Sequence, residues 1–157
     1  MDDALRELYQ EVILDHGKHP RNFGKPEDAN RDAFGNNPLC GDRLHIYLKV
    51  GDDGTIENAA FDGRGCAISV ASASMMTEIL KGKTVDQAER LFEAFHKMCT
   101  EEEEVPELGR EFADDLDRLQ VLSGVRQFPM RVKCATLSWH ALKAALTEGE
   151  PQKVTTE

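Results

Sequence analysis

The sequence predicts an α+β fold in which a small antiparallel sheet packs against helices. Three observations carry this reading: a helical period at the start, a strict two-residue alternation from Leu44 to Val50, and a carboxyl-terminal half with only helical patterns. Leu5, Leu8, Tyr9, Val12, Ile13 and His16 repeat at helical spacing, and Gly17 with Pro20 closes that first helix. A polar, turn-rich stretch follows, "GKHPRNFGKPEDANRDAFGNNP". Leu44, Ile46, Leu48 and Val50 then alternate with Arg43, His45, Tyr47 and Lys49, the signature of a half-buried strand. "GDDG" turns the chain, and Ile56 to Asp62 reads as the antiparallel partner, although Ala59 and Ala60 are poor strand formers.

From Ala67 to Lys81 a broad apolar face, rich in Ala and Ser, predicts a helix that approaches another element closely and ends at Gly82. Thr84 and Gln87 form a capping box for the next helix, whose buried stripe is Val85, Ala88, Leu91, Phe92, Phe95 and Met98. The acidic run 101–104 with Pro106 reads as a solvated break. Leu108, Phe112, Leu116, Leu119 and Leu122 outline a weaker helix, and a last one, predicted to begin near Cys134, carries Leu137, Ala141, Leu142, Ala145 and Leu146. Residues 148–157, "EGEPQKVTTE", read as a disordered tail.

The 157 residues, 40% of them hydrophobic, suffice for one ordinary core, so residues 1–147 are taken as a single domain. A net charge of -10 argues against nucleic acid or an anionic membrane as the main partner, because both reward clustered Lys and Arg. The small basic group Lys18, His19, Arg21 and Lys25 is at most a docking edge. The first residues, "MDDALRELYQ", resemble neither a signal nor a transit peptide, and no segment is apolar enough to span a membrane; the expected location is the cytoplasm. Cysteines there serve metal binding, redox chemistry or packing more often than disulfides.

Cys99 falls on the stripe of Phe92 and Phe95 and is expected to be buried as a small apolar side chain. Cys40, Cys66 and Cys134 instead lie where loops meet elements. Cys66 and Cys134 are expected to open helices, whose free N–H groups and dipole favour a thiolate. Cys40 sits between Pro38 and Gly41, a hinge that lets Asp42 turn its carboxylate toward the same point. Three thiolates and one carboxylate match the four ligands of tetrahedral Zn2+. The cysteines are widely separated and contain no C-x-x-C pair, so spacing alone leaves a shared metal site and scattered structural cysteines both open. The histidines form no H-x-x-x-H pair, and there is no G-x-S-x-G elbow or Gly-rich phosphate loop.

The stretches "LYQEVILDHGKHPRNFG", "NPLCGD", "GRGCAIS" and "FPMRVKCATLSWHAL", in this order, resemble the IscU/NifU-like iron-sulfur cluster assembly proteins and, within them, the SufU branch. The resemblance runs from about Leu5 to Leu146. It implies a three-stranded antiparallel sheet backed by helices and a metal site made by Cys40, Asp42, Cys66 and Cys134. Scaffold members have a His directly before the last Cys, where this chain has Lys133, and a Leu-Pro-Pro-Val-Lys chaperone signal of which "QFPMRVK" keeps a fragment. Residues from about Thr100 to Gly124 look like the insertion of the SufU branch. The resemblance therefore implies Zn2+ and sulfur acceptance by Cys40 from a SufS-type cysteine desulfurase, ahead of downstream cluster assembly proteins. The alternative it implies is a scaffold for a transient [2Fe-2S] cluster. Three thiolates and a carboxylate leave excess negative charge on zinc, and Arg131 and Lys133 stand close enough in sequence to offset it.

Overall fold

A computed structural model describes residues 3–38, 41–100, 110–147 and 152–155. Cys40 and the acidic run 101–104 lie outside the described residues. The chain starts with helix α1 (Asp3–Lys18), forms a meander of β1 (Arg31–Asn37), β2 (Asp42–Val50) and β3 (Ile56–Arg64), and continues through α2 (Ala67–Leu80) and α3 (Val85–Thr100). Short 3₁₀ turns, Arg110–Phe112 and Gln120–Gln127, flank α4 (Ala113–Leu119), and α5 (Pro129–Leu146) completes the helical layer.

The three antiparallel strands are those expected, with a fourth added. Gln152–Thr155 forms β4, which pairs parallel to β1, within the tail that the sequence marks as disordered. β1 offers a free edge there, and "KVT" is a β-prone run that can take it up.

β1 itself has no sequence signal, because "RDAFGNN" lacks branched side chains. Its inward positions Ala33, Gly35 and Asn37 are small, so α5 lies close against it. A Cβ on Gly35 would stand 3.1 Å from Leu137 Cδ1, tighter than ordinary contact. On β2 the inward set Leu44, Ile46, Leu48 and Val50 is buried as the alternation predicts.

Helix α1 departs from its predicted stripe. Of that set only His16 is buried; Leu5 and Leu8 are exposed, and Ile13 packs at the edge of the core. The Ala- and Ser-rich α2 does make the close approaches its composition suggests. Ser72 donates to the Ala135 carbonyl at 2.6 Å and accepts from Trp139 Nε1 at 3.1 Å, tying α2 to α5. The capping box forms as expected: Thr84 N–H donates to Gln87 Oε1 at 2.9 Å, and Gln87 N–H to Thr84 Oγ1 at 3.1 Å. Cys99 is fully buried in the core, where Trp139 stacks on Phe95 with ring centroids 4.8 Å apart.

Candidate metal centre

Asp42 is the first residue of β2, and its alternation with Leu44 points the carboxylate inward to the buried side. Cys66 precedes α2 at its N-cap position, with extended backbone angles and no side-chain cap of its own. Its backbone N–H donates instead to Asp42 Oδ1 at 2.9 Å, so a carboxylate from a neighbouring strand terminates the helix. Gly65 makes this fit possible. A Cβ there would lie 2.2 Å from Ser69 Oγ and 3.0 Å from Asp42 Oδ1.

Cys134 does not open its helix. α5 begins at Pro129, a residue suited to the first helical turn, with Phe128 at the cap. Cys134 is thus in the second turn, buried, and no helix dipole of its own acts on it. The "FP" pair, not the thiol, marks the start.

One ligand-type atom from each of Asp42, Cys66 and Cys134 lies within 4.8 Å of the others. Cys66 Sγ stands 3.9 Å from Asp42 Oδ2 and 3.8 Å from Ser69 Oγ. The Cys66 thiol is lowered to about 6, first by its hydrogen bond with Cys134 and then by the backbone and hydroxyl of Ser69, while burial and the Asp42 charge push the other way. Three of the four residues that the resemblance implies as ligands, Asp42, Cys66 and Cys134, thus come together in space from three distant segments. Ser69 is the neighbour that sequence reasoning missed; only its spacing of three from Cys66 on α2 hints at it.

The fourth expected ligand, Cys40, belongs to the connection between Asn37 and Asp42, which face each other across β1 and β2. Arg131 lies one turn before Cys134 with its guanidinium over the Phe128 ring, 4.4 Å from the centroid. Lys133 is half-buried on the same turn. Among the described residues no helix is long and apolar enough to cross a membrane.

A two-layer α+β domain with an Asp–Cys–Cys cluster at one end of a three-stranded meander defines the class, and the chain belongs to the NifU-like N-terminal domain family, whose model matches residues 8–135. It is 43% identical over 148 residues to the zinc-dependent sulfurtransferase SufU of Bacillus subtilis (strain 168), covering 93% of this chain and 94% of that protein. It is 39% identical over 142 residues to the iron-sulfur cluster assembly scaffold protein IscU of Streptococcus pyogenes serotype M1, covering 90% of this chain and 84% of that one. A solved structure of a SUF-system iron-sulfur cluster assembly scaffold protein from Fervidobacterium islandicum AW-1 superposes with a TM-score of 0.78 at 34% identity, over 90% of this chain and 98% of that one. These are iron-sulfur cluster assembly proteins of the SufU and IscU kind, and this chain is one of their family.

Proposed function

We propose that this protein is a zinc-dependent sulfur acceptor that takes sulfur from the persulfide of a SufS-type cysteine desulfurase and passes it to downstream cluster assembly proteins. The observation that carries the reading is the convergence of Asp42, Cys66 and Cys134 beside the hairpin that contains Cys40. The similarity to a relative named as a zinc-dependent sulfurtransferase supports it.

The donor set fits zinc. Ligand atoms around a tetrahedral Zn2+ stand about 3.5–3.8 Å apart for the usual Zn–S and Zn–O bonds. The separations here, 3.9 Å for Cys66 Sγ to Asp42 Oδ2 and no more than 4.8 Å for any pair, close to that spacing with small side-chain movements. Cys40 is the fourth donor. When bound, the metal holds thiols as thiolates without exchanging electrons with them.

The acceptor is Cys40. The paired residues Asn37 and Asp42 hold the two ends of its Pro/Gly hinge, so its thiolate can swing toward a partner while Cys66 and Cys134 stay fixed at the start of α2 and on α5. The thiolate attacks the outer sulfur of the desulfurase persulfide. A new sulfur–sulfur bond forms on Cys40, the old one breaks, and the desulfurase cysteine leaves as a thiolate, so no outside oxidant or reductant is needed. Arg131 and Lys133, on the turn that presents Cys134, lend positive charge to the anionic cluster.

The test is anaerobic purification with analysis of zinc, iron and sulfide, followed by incubation with desulfurase and L-cysteine and peptide mass spectrometry. Zinc without sulfide and a one-sulfur mass gain on the Cys40 peptide, lost in Cys40→Ala, is the expected result. Iron and sulfide in equal amounts with no persulfide would replace this reading by a [2Fe-2S] scaffold, the role in the name of the Streptococcus relative.

A further inference from the structure

The helices cover one face of the sheet, and the other face carries a built set of polar groups away from the Asp42–Cys66–Cys134 cluster. Its outward residues are Asp32, Phe34 and Asn36 on β1, Arg43, His45 and Tyr47 on β2, and Asp62 and Arg64 on β3. His45 is locked in the middle. Its Nε2 lies 2.5 Å from Asp32 Oδ2, its Nδ1 lies 2.8 Å from Tyr47 Oη, and its ring stacks on Phe34 with centroids 3.8 Å apart. Burial and Asp62 push Tyr47 up to about 12, so it remains a hydroxyl and donates to Asp62 Oδ2 at 3.1 Å.

Around this rigid floor is a cleft of about 500 Å³ lined by Phe34, Asn36, Arg43, His45 and Asp62, with the backbone of Gly35, Leu44 and Gly63. That volume is in the range of small-molecule sites. Two features of the lining call for charged ligand groups. Arg43 faces Arg64 directly across the β2–β3 ladder, and like charges in that position repel. Among the described residues neither arginine has a carboxylate partner, although the protein carries a net charge of -10. On the same face Asp62, which pairs with His45, uses Oδ2 for Tyr47 and leaves Oδ1 for a donor. Phe34, 46% exposed, supplies an apolar wall on β1, on the side of His45 away from Asp62.

We propose that this outer-face cleft binds a small zwitterion of amino-acid to tripeptide size, its carboxylate on Arg43 and its ammonium on Asp62, with its body against Phe34. A carboxylate on the guanidinium makes a two-pronged contact and relieves the Arg43–Arg64 repulsion. An ammonium on Oδ1 completes a carboxylate already oriented by Tyr47. The floor needs no reorganisation, because His45 is held from three sides.

The zinc-loaded full chain, labelled with ¹⁵N, is titrated with L-alanine, dialanine and trialanine, and with acetate and methylammonium as single-charge controls. The expected result is saturable shifts of the Gly35, Asn36 and Gly63 amides with at least one of the three zwitterions, and weaker binding of both controls. Arg43→Gln and Asp62→Asn each reduce that affinity by about tenfold or more, the size of losing one charge-assisted contact. The spectra themselves report that the variants are folded. If none of the three saturates, if acetate or methylammonium binds as tightly as the best zwitterion, or if either variant binds like the parent, the proposal is wrong. No desulfurase enters the experiment, so its failure leaves sulfur acceptance by Cys40 untouched.

Discussion

Asp42 and Cys66 are joined twice: the Cys66 N–H donates to Asp42 Oδ1 at 2.9 Å, and the Cys66 sulfur stands 3.9 Å from Asp42 Oδ2. One carboxylate oxygen therefore caps α2 while the other faces the thiols. The two tasks separate by substitution. Asp42→Asn keeps an acceptor for the helix but removes the charge, so thermal stability of the metal-free protein should change by less than about 1 kcal/mol. Zinc affinity, read by competition with a chromophoric chelator, should fall at least about tenfold. Asp42→Ala removes both and leaves a partly buried N–H without its partner, adding a cost of about 1–3 kcal/mol. Equal melting temperatures for the two variants would show that the cap contributes nothing.

Cys99 is a packing residue. It is fully buried on α3, and burial pushes its thiol up to about 12. Alkylation of the native protein with iodoacetamide at pH 8 should leave Cys99 unmodified, while unfolding in guanidinium should expose it. Cys99→Ala should bind zinc like the parent and lose about 1–2 kcal/mol of stability, the cost of a small core truncation. Zinc loss in that variant, or rapid native labelling, would give this thiol a role the structure does not.

His16 makes folding sensitive to acid. It anchors the end of α1 to α2, with Nδ1 2.8 Å from Ser74 Oγ, and burial is the main cause that lowers its pKa. The Arg21 and Arg118 charges act in the same direction, and Glu78 and Asp15 oppose them. The fold thus prefers neutral His16. Its contribution is complete above the unfolded value of about 6.5 and is lost as the pH falls below it toward the folded value. The melting temperature of the parent should fall more steeply between pH 7 and pH 5 than that of His16→Gln. Parallel curves would mean that other groups carry the acid sensitivity.

Legibility in the sequence followed the strength of local chemistry. The β2 alternation, the α3 capping box and the burial of Cys99 were readable because each rests on a few neighbouring residues. β1 was not, since its small inward residues are explained only by the closeness of α5, and β4 was not, since its pairing depends on a distant edge. Cys134 lies beside Asp42 and Cys66, but not at the start of its helix as expected; Pro129 sets the start, a turn earlier. The outer-face network of Asp32, His45, Tyr47 and Asp62 was invisible, because the stretch holding Asp32 had no strand signal and strand pairing brings the four together.

Gly65 tests how tightly the metal centre is built. A side chain fits there only if its neighbours move: a Cβ would fall 2.2 Å from Ser69 Oγ and 3.0 Å from Asp42 Oδ1. Ser69 can rotate away, but its hydroxyl then leaves the neighbourhood of Cys66 Sγ, now 3.8 Å distant, and Asp42 must shift from the Cys66 N–H. Gly65→Ala should therefore destabilise the fold by about 1–3 kcal/mol, the usual cost of overpacking. It should also weaken zinc binding while leaving all proposed ligands in the sequence. Cobalt substitution gives a direct readout, because thiolate-to-cobalt absorption reports how many sulfurs remain bound. A Gly65→Ala protein with the parent's cobalt spectrum and chelator-competition curve would show that the approach of Asp42 to Cys66 has room to spare.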